Sequence, residues 1–394
     1  MRKIVVAPET ALLNLGFRPF FMGAAIFAVI SMAFWMAVYS FHMPLPIAGI
    51  SLFQWHAHAM IYGFSMAVVA GFLLTAVRNW TGIQTPCGFQ LLALFVLWIL
   101  PRVIELFGTQ LIMLAAVFDL LFMLGLIGAV AYPIAKVRQW RQLGIVMILL
   151  LLLLANGCFY LGASGVFEEG VRLGIYAGLF LIIGMILLIG RRVIPFFIEA
   201  GVGYPVKLVN VWWLDQLVIG LYLVFLIAEV ILQQRILIAL TALGLAIANS
   251  VRMVRWHTQG IWKKPLLWSL FVAFGFINLG FFITALNAVL SLPNMIAIHA
   301  FSIGGIGVIT LSMMARVTLG HTGRSVHNPS KAVTVILAII IAAAIIRVVL
   351  PLIAVHYYVI WILTAQLLWI VAFFIFVIVH WSMLTQPRVD GQSG

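Results

Sequence analysis

Twelve apolar stretches, each about long enough to cross a bilayer as a helix, dominate this chain. They cover residues 19–41, 57–77, 89–107, 110–132, 143–163, 173–190, 212–232, 235–251, 265–287, 295–317, 332–350 and 357–381. A backbone in lipid must satisfy its own hydrogen bonds, and a helix does so within one segment. The expected fold is therefore an all-α, polytopic bundle of about twelve spans. With 65% hydrophobic and 8% charged residues, the chain lacks the polar surface that an ordinary soluble globule requires.

The net charge of +13 belongs to this topology rather than to nucleic-acid binding. With the N-terminus placed in the cytoplasm and the spans alternating, Arg2, Lys3, Arg18, Arg78, Lys136, Arg138, Arg141, Arg191, Arg192, Lys207, Arg252, Arg255, Lys263, Lys264, Arg316, Arg324, Lys331 and Arg388 fall inside. Only Arg102, Arg172, Arg235 and Arg347 fall on the other side. This 18-to-4 split is the asymmetry of the positive-inside rule, and losing one span would scramble every later loop. It predicts both termini in the cytoplasm. The first apolar segment is too long for a signal-peptide h-region and reads as a signal anchor.

The chain reads as one membrane domain, 1–394, with a short cytoplasmic N-terminus (1–15) and a polar C-terminal tail (382–394). Cys87 and Cys158 fall near opposite membrane faces, so no disulfide is expected between them. There is no Cys-x-x-Cys-His, so any haem would be non-covalent. The longest loop is expected near 191–211. Arg18-Pro19-Phe20-Phe21 and Arg192-Val193-Ile194-Pro195-Phe196-Phe197 echo each other and read as helix ends with aromatic anchors. Gly63, Ala67 and Gly71 are four apart, a spacing that lets helices approach closely. These glycines, and Gly304, Gly305 and Gly307, are also compatible with room for a planar cofactor.

Trp55-His56-Ala57-His58 carries the strongest chemical signal. Ionisable or metal-ligating groups are costly inside a membrane segment, and imidazole is a common ligand of haem iron and copper. His56 and His58 open the second span and His299 the tenth, all from the non-cytoplasmic side. A helix turns about 100° per residue, so His56 and His58 point about 200° apart and cannot both ligate one metal. His56 shares a face with Ala59, Met60, Gly63 and Ala67, where a porphyrin edge could fit. His58 shares one with Tyr62 and Ser65, a polar stripe suited to water or protons. His42 and His356 read as interfacial. Met43 and Met60 are candidate thioether ligands for copper.

Arg102 and Glu105 are spaced i, i+3 after Pro101 and are expected to pair. A polar proton entry or a propionate-binding Arg102 is the functional alternative. Asp119 lies in mid-span without an evident partner, which points to proton handling. Asn79-Trp80-Thr81-Gly82 and Gly320-His321-Thr322-Gly323-Arg324 read as well-formed helix termini; the second lacks the lysine and spacing of a P-loop.

Four blocks together resemble the NnrS family: Gly16-Phe17-Arg18-Pro19-Phe20-Phe21; Trp55-His56-Ala57-His58-Ala59-Met60 with Ala70-Gly71-Phe72-Leu73-Leu74-Thr75-Ala76-Val77 and Asn79-Trp80-Thr81-Gly82; Gly190-Arg191-Arg192-Val193-Ile194-Pro195-Phe196-Phe197; and His299-Ala300 leading through Met313 and Arg316 to Leu319-Gly320-His321-Thr322-Gly323-Arg324. The resemblance implies a haem- and copper-containing protein of the bacterial inner membrane, linked to nitric oxide metabolism and nitrosative-stress defence. It departs from the expected pattern at Ala59, where an acidic residue is expected after the second histidine.

Two functional classes follow. In the first, nitric oxide is reduced to nitrous oxide at a His-ligated haem b with electrons from a quinol. His56, His58 and His299 would ligate haem or copper, Arg102 would hold haem, and Tyr62, Asp119 or Glu105 would handle protons. In the second, a non-catalytic haem or copper protein sequesters, senses or transports nitric oxide or a related species.

Overall fold

The computed structural model describes residues 8–43, 50–209, 211–290 and 292–392. Arg2 and Lys3 lie outside these residues. Among the described residues every regular element is helical. Among these residues, twelve helices are long and apolar enough to cross a membrane: α1 (Phe17–Tyr39), α2 (Leu52–Thr81), α3 (Phe89–Phe107), α4 (Ile112–Lys136), α5 (Trp140–Ala163), α6 (Gly170–Gly201), α7 (Trp212–Leu232), α8 (Arg235–Trp256), α9 (Pro265–Leu290), α10 (Asn294–His321), α11 (Lys331–Ile353) and α12 (Val355–Thr385). The expected class and number of spans are both found.

One expectation needs correction. The segment expected to end near residue 190, with Pro195 marking a helix terminus, continues as helix to Gly201. The loop expected over 191–211 shrinks accordingly. Proline removes one N–H and crowds the carbonyl four residues back, yet here the helix runs on through it, as it also does at Pro101 and Pro133.

The chain forms two compact units. The first comprises Met1–Leu181, Met314–Val326 and Phe373–Gly394; the second comprises Ile182–Met313 and His327–Ala372. In the first, α1 packs on α2, α3 on α4 and α4 on α5. The small residues of α2 serve this packing. A Cβ on Gly63 would collide with the Phe27 ring of α1, and one on Gly71 would lie 2.8 Å from Phe21. In the second, α8 packs on α7 and α9, and α10 packs on α9 and α11. Gly304, Gly305 and Gly307 face Phe276, Ile277 and Trp369, so side chains already fill the room beside them. Asp215 of α7 holds Arg191 of α6 at 3.3 Å and Arg252 of α8 at 2.6 Å.

Both helices that carry the candidate histidines change winding immediately after them. α2 passes into a π-helical stretch at Ala59–Ser65, and α10 does so at Ala300–Gly307. Such wide turns occur often at functional sites, because they aim carbonyls and side chains where an α-helix would not. The Asn79–Gly82 turn ends as expected, with Gly82 at φ 68° and its N–H on the Arg78 carbonyl. Gly323 also takes a positive φ, 77°.

A candidate buried proton-handling site

A polar cluster is buried within the first unit, built by four helices. α2 contributes His58, α3 contributes Arg102 and Glu105, α4 contributes Asp119, and α5 contributes Asn156 and Tyr160. His58, Asp119, Asn156 and Tyr160 are each at most 2% exposed. A jacket of Ala115, Ala116, Phe159, Ile104 and Ile112 surrounds the Tyr160 end. Buried polar groups of this kind are tolerated only when they satisfy one another.

Asp119 finds its partner in Arg102, whose Nη1 forms an ion pair with Oδ1. The i, i+3 pairing expected between Arg102 and Glu105 does not form: the Arg102 fork is turned to Asp119 and, through Nη2, to the Tyr62 carbonyl. That carbonyl lies in the π-helical stretch of α2, which exposes it to a donor from another helix. The Asp119 carboxylate also accepts from Asn156 Nδ2 at 2.9 Å and lies 3.1 Å from the Tyr160 hydroxyl.

Hydrogen-bond bookkeeping assigns the His58 tautomer. Asn156 spends its amide N–H on Asp119, so its Oδ1 is an acceptor, and His58 Nε2, 3.0 Å away, must donate. In the neutral ring Nδ1 then carries the lone pair. It faces Glu105 Oε1 at 3.7 Å, and Nε2 is 3.8 Å from Asp119 Oδ2. The ring stacks on Phe159 at 4.1 Å, which fixes its plane.

The Tyr160 hydroxyl stands between the carboxyl groups, 3.2 Å from Glu105 Oε1 and 3.1 Å from Asp119 Oδ2. One O–H can donate to only one of them. Closing both contacts as hydrogen bonds needs one more proton on the carboxyl pair. Glu105 is the least buried of these acids, its side chain 12% exposed, and it stands where α3 gives way to a 3-10 turn. From the helix end inward the order is Glu105, then the Tyr160 hydroxyl, then Asp119.

The other candidate residues lie elsewhere. Tyr62 is buried beside His58, but its hydroxyl donates to the Gly174 carbonyl at 2.7 Å and does not join the carboxyl pair. His56, half-buried, stacks face to face on Trp35 at 4.4 Å and 9°. The small-residue face that it shares is occupied at Gly63 by Phe27, which takes the space expected for a porphyrin edge. His299 lies in the second unit, with Nδ1 2.6 Å from the Met295 carbonyl and Nε2 3.5 Å from Arg347 Nη2. His42 and His356 are exposed. Among the described residues no group of three His, Cys, Asp or Glu side chains is placed to hold a metal. In the buried cluster the physical reason is that Arg102 and Asn156 already engage the Asp119 oxygens.

Sequence reasoning missed Asn156 and Tyr160. Their signal was available: two polar side chains at i, i+4 share one face of α5, an otherwise Leu-rich span.

The family model described as NnrS protein matches residues 11–388. Comparison with curated proteins returns no match.

Proposed function

From the premise that the chain belongs to the NnrS family, and so is a nitric-oxide-related membrane protein, we propose that it reduces nitric oxide to nitrous oxide at a non-covalent haem b. Quinol would supply the electrons. The cytoplasmic membrane is the proposed location, with both termini inside.

The observation that carries this reading is the buried ring of His58, Glu105, Tyr160 and Asp119. Forming nitrous oxide and water from two nitric oxide molecules consumes a pair of electrons and a pair of protons. A chain that performs this reaction needs a route for protons into an apolar interior. Glu105 would take protons from the helix end. Tyr160 would pass one on by giving its own proton to Asp119 as it receives another from Glu105.

His299 is the proposed haem ligand. Its Nδ1–H donates to the Met295 carbonyl, which fixes the ring and turns Nε2 towards Arg347 Nη2 at 3.5 Å, a contact that ligation at Nε2 would have to replace. Arg347 stands beside it, 93% buried, with Nη1 lacking an acceptor among the described residues, and suits a haem carboxylate. When bound, the haem would supply the iron at which nitric oxide binds and the electron transfer. His299 would hold it and Arg347 would neutralise it. For copper, no group of three His, Cys, Asp or Glu side chains is formed among the described residues.

A second reading has one observation in its favour. The donors of Arg102 and Asn156 are spent within the cluster or on nearby backbone, as in a network that rigidifies a core. On that reading the protein captures nitric oxide at haem without turnover. Anaerobic proteoliposomes supplied with excess quinol separate the two. Continuous nitric oxide consumption with release of nitrous oxide supports the reductase. Consumption that stops at about one equivalent per haem supports capture. No spectral change of the reduced protein with nitric oxide defeats both.

A further inference from the structure

Arg18 is fully buried near the start of α1. Its Nη1 donates to the carbonyls of Met383, Leu384 and Gln386 at 3.2, 3.0 and 2.7 Å. These carbonyls end α12, where a helix leaves acceptors without intrahelical donors and favours a cation. That role accounts for one amino group. Nε and Nη2 are both buried and have no acceptor among the described residues. These two N–H groups lie side by side along one edge of the planar guanidinium. It is the edge that grips two oxygens of an anion at once.

The surrounding charge points the same way. No carboxylate pairs with Arg18 among the described residues. Arg324 and Arg388 act on it electrostatically. Both are seated on the turn that ends α10: Arg388 Nη1 donates to the His321 carbonyl at 3.2 Å, and Arg324 Nη1 contacts the Thr322 carbonyl at 3.4 Å. The acid at this turn, Asp390, is spent on Arg388, accepting from Nε at 2.9 Å and Nη2 at 2.6 Å. Three guanidinium groups thus act on one another electrostatically, and the one carboxylate at this turn is taken by Arg388. A buried cation with open donors is expensive unless an anion completes it.

We propose that the Nε/Nη2 edge of Arg18, with Arg324 and Arg388 beside it, binds a phosphate-type oxyanion at this end of the first unit. The headgroup of an acidic phospholipid and free inorganic phosphate carry the same oxygens. With the spans inserted as proposed above, this end lies on the cytoplasmic side, where acidic lipid headgroups meet basic side chains.

The test uses the full-length protein, delipidated in neutral detergent. Thermal unfolding is followed with sodium phosphate against sodium chloride at equal ionic strength, then with phosphatidylglycerol against phosphatidylcholine in mixed micelles. Saturable stabilisation is expected from the phosphate-bearing anion and not from its control. Arg18→Lys keeps the charge but loses the paired edge, and should weaken the apparent affinity about ten- to a hundredfold. Arg324→Ala, which sheds one long contact, should weaken it several-fold and keep the fold intact even if Arg18→Lys does not accumulate. Stabilisation by phosphate assigns a free anion. Stabilisation by phosphatidylglycerol alone assigns a lipid headgroup. No response of the wild type to either, or an undiminished response in Arg324→Ala and in any Arg18→Lys that folds, overturns the proposal.

Discussion

Arg102 of α3 holds the Asp119 carboxylate of α4, while its second amino group reaches the Tyr62 carbonyl of α2. One guanidinium thereby ties three helices together and supplies the cation that keeps a carboxylate inside an apolar unit. The Trp98 ring lies under it, 5.9 Å from Cζ. Asp119 in turn orders Asn156 and Tyr160, and Asn156 sets the His58 tautomer. The whole cluster hangs on this pair.

Removing one partner of the pair should therefore cost far more than removing both. Arg102→Ala leaves Asp119 buried and uncompensated, and a loss of about 3–5 kcal/mol is expected. The double variant Arg102→Met, Asp119→Leu should recover a substantial part of it. Thermal unfolding of the purified variants in detergent checks this. Equal losses in the single and double variants would show that the pair is not the anchor.

Glu105→Gln should separate ligand binding from turnover. The amide keeps the shape and the contact with Tyr160 but cannot carry the proton inward. Nitric oxide binding to the reduced protein should be unchanged, while quinol-driven consumption falls about 10²-fold, the lower range for loss of a proton-transfer group. Stopped-flow spectra and a nitric oxide electrode read the two quantities. Undiminished turnover would remove Glu105 from the route.

Gly63 is held at its minimum size by the Phe27 ring. Gly63→Ala should destabilise the first unit by about 1–3 kcal/mol, the usual cost of overpacking. Phe27→Leu in the same chain should relieve part of that loss. A Gly63→Ala protein as stable as the wild type would mean that α1 and α2 have slack at this crossing.

The C-terminal tail should show a pH dependence set by Asp390. Its hydrogen bond from Arg388, helped by the Gln392 N–H and the Arg388 charge, lowers its carboxyl from an ordinary 3.8 to about 2. A lowered acid contributes docking that is complete above its free value and is lost as pH falls through its bound value. The turn that Asp390 forms with Arg388 and Gln392 should therefore hold above about pH 4 and weaken towards pH 2, loosening the tail. A spin label near Gln392 would report the change in mobility, and Asp390→Asn should abolish that pH step. A step of the same size in Asp390→Asn would assign it to another group.

Hydropathy and the Lys/Arg distribution determined the helical class, the twelve spans and most of their limits, because lipid demands long apolar helices wherever they pack. The same local logic located Gly82, whose left-handed turn needs only its immediate neighbours. His58, Arg102, Glu105 and Asp119 could be selected one by one, since each is an expensive residue in an apolar span. Their partners could not. The i, i+3 spacing favoured Arg102 with Glu105, but side-chain pairing follows distance in space, and packing brought Asp119 to Arg102 from another helix. Likewise Trp35 and Phe27 came from α1 to fill the face beside His56. The chain alone names the costly residues; only the crossing of helices decides which of them pay for one another.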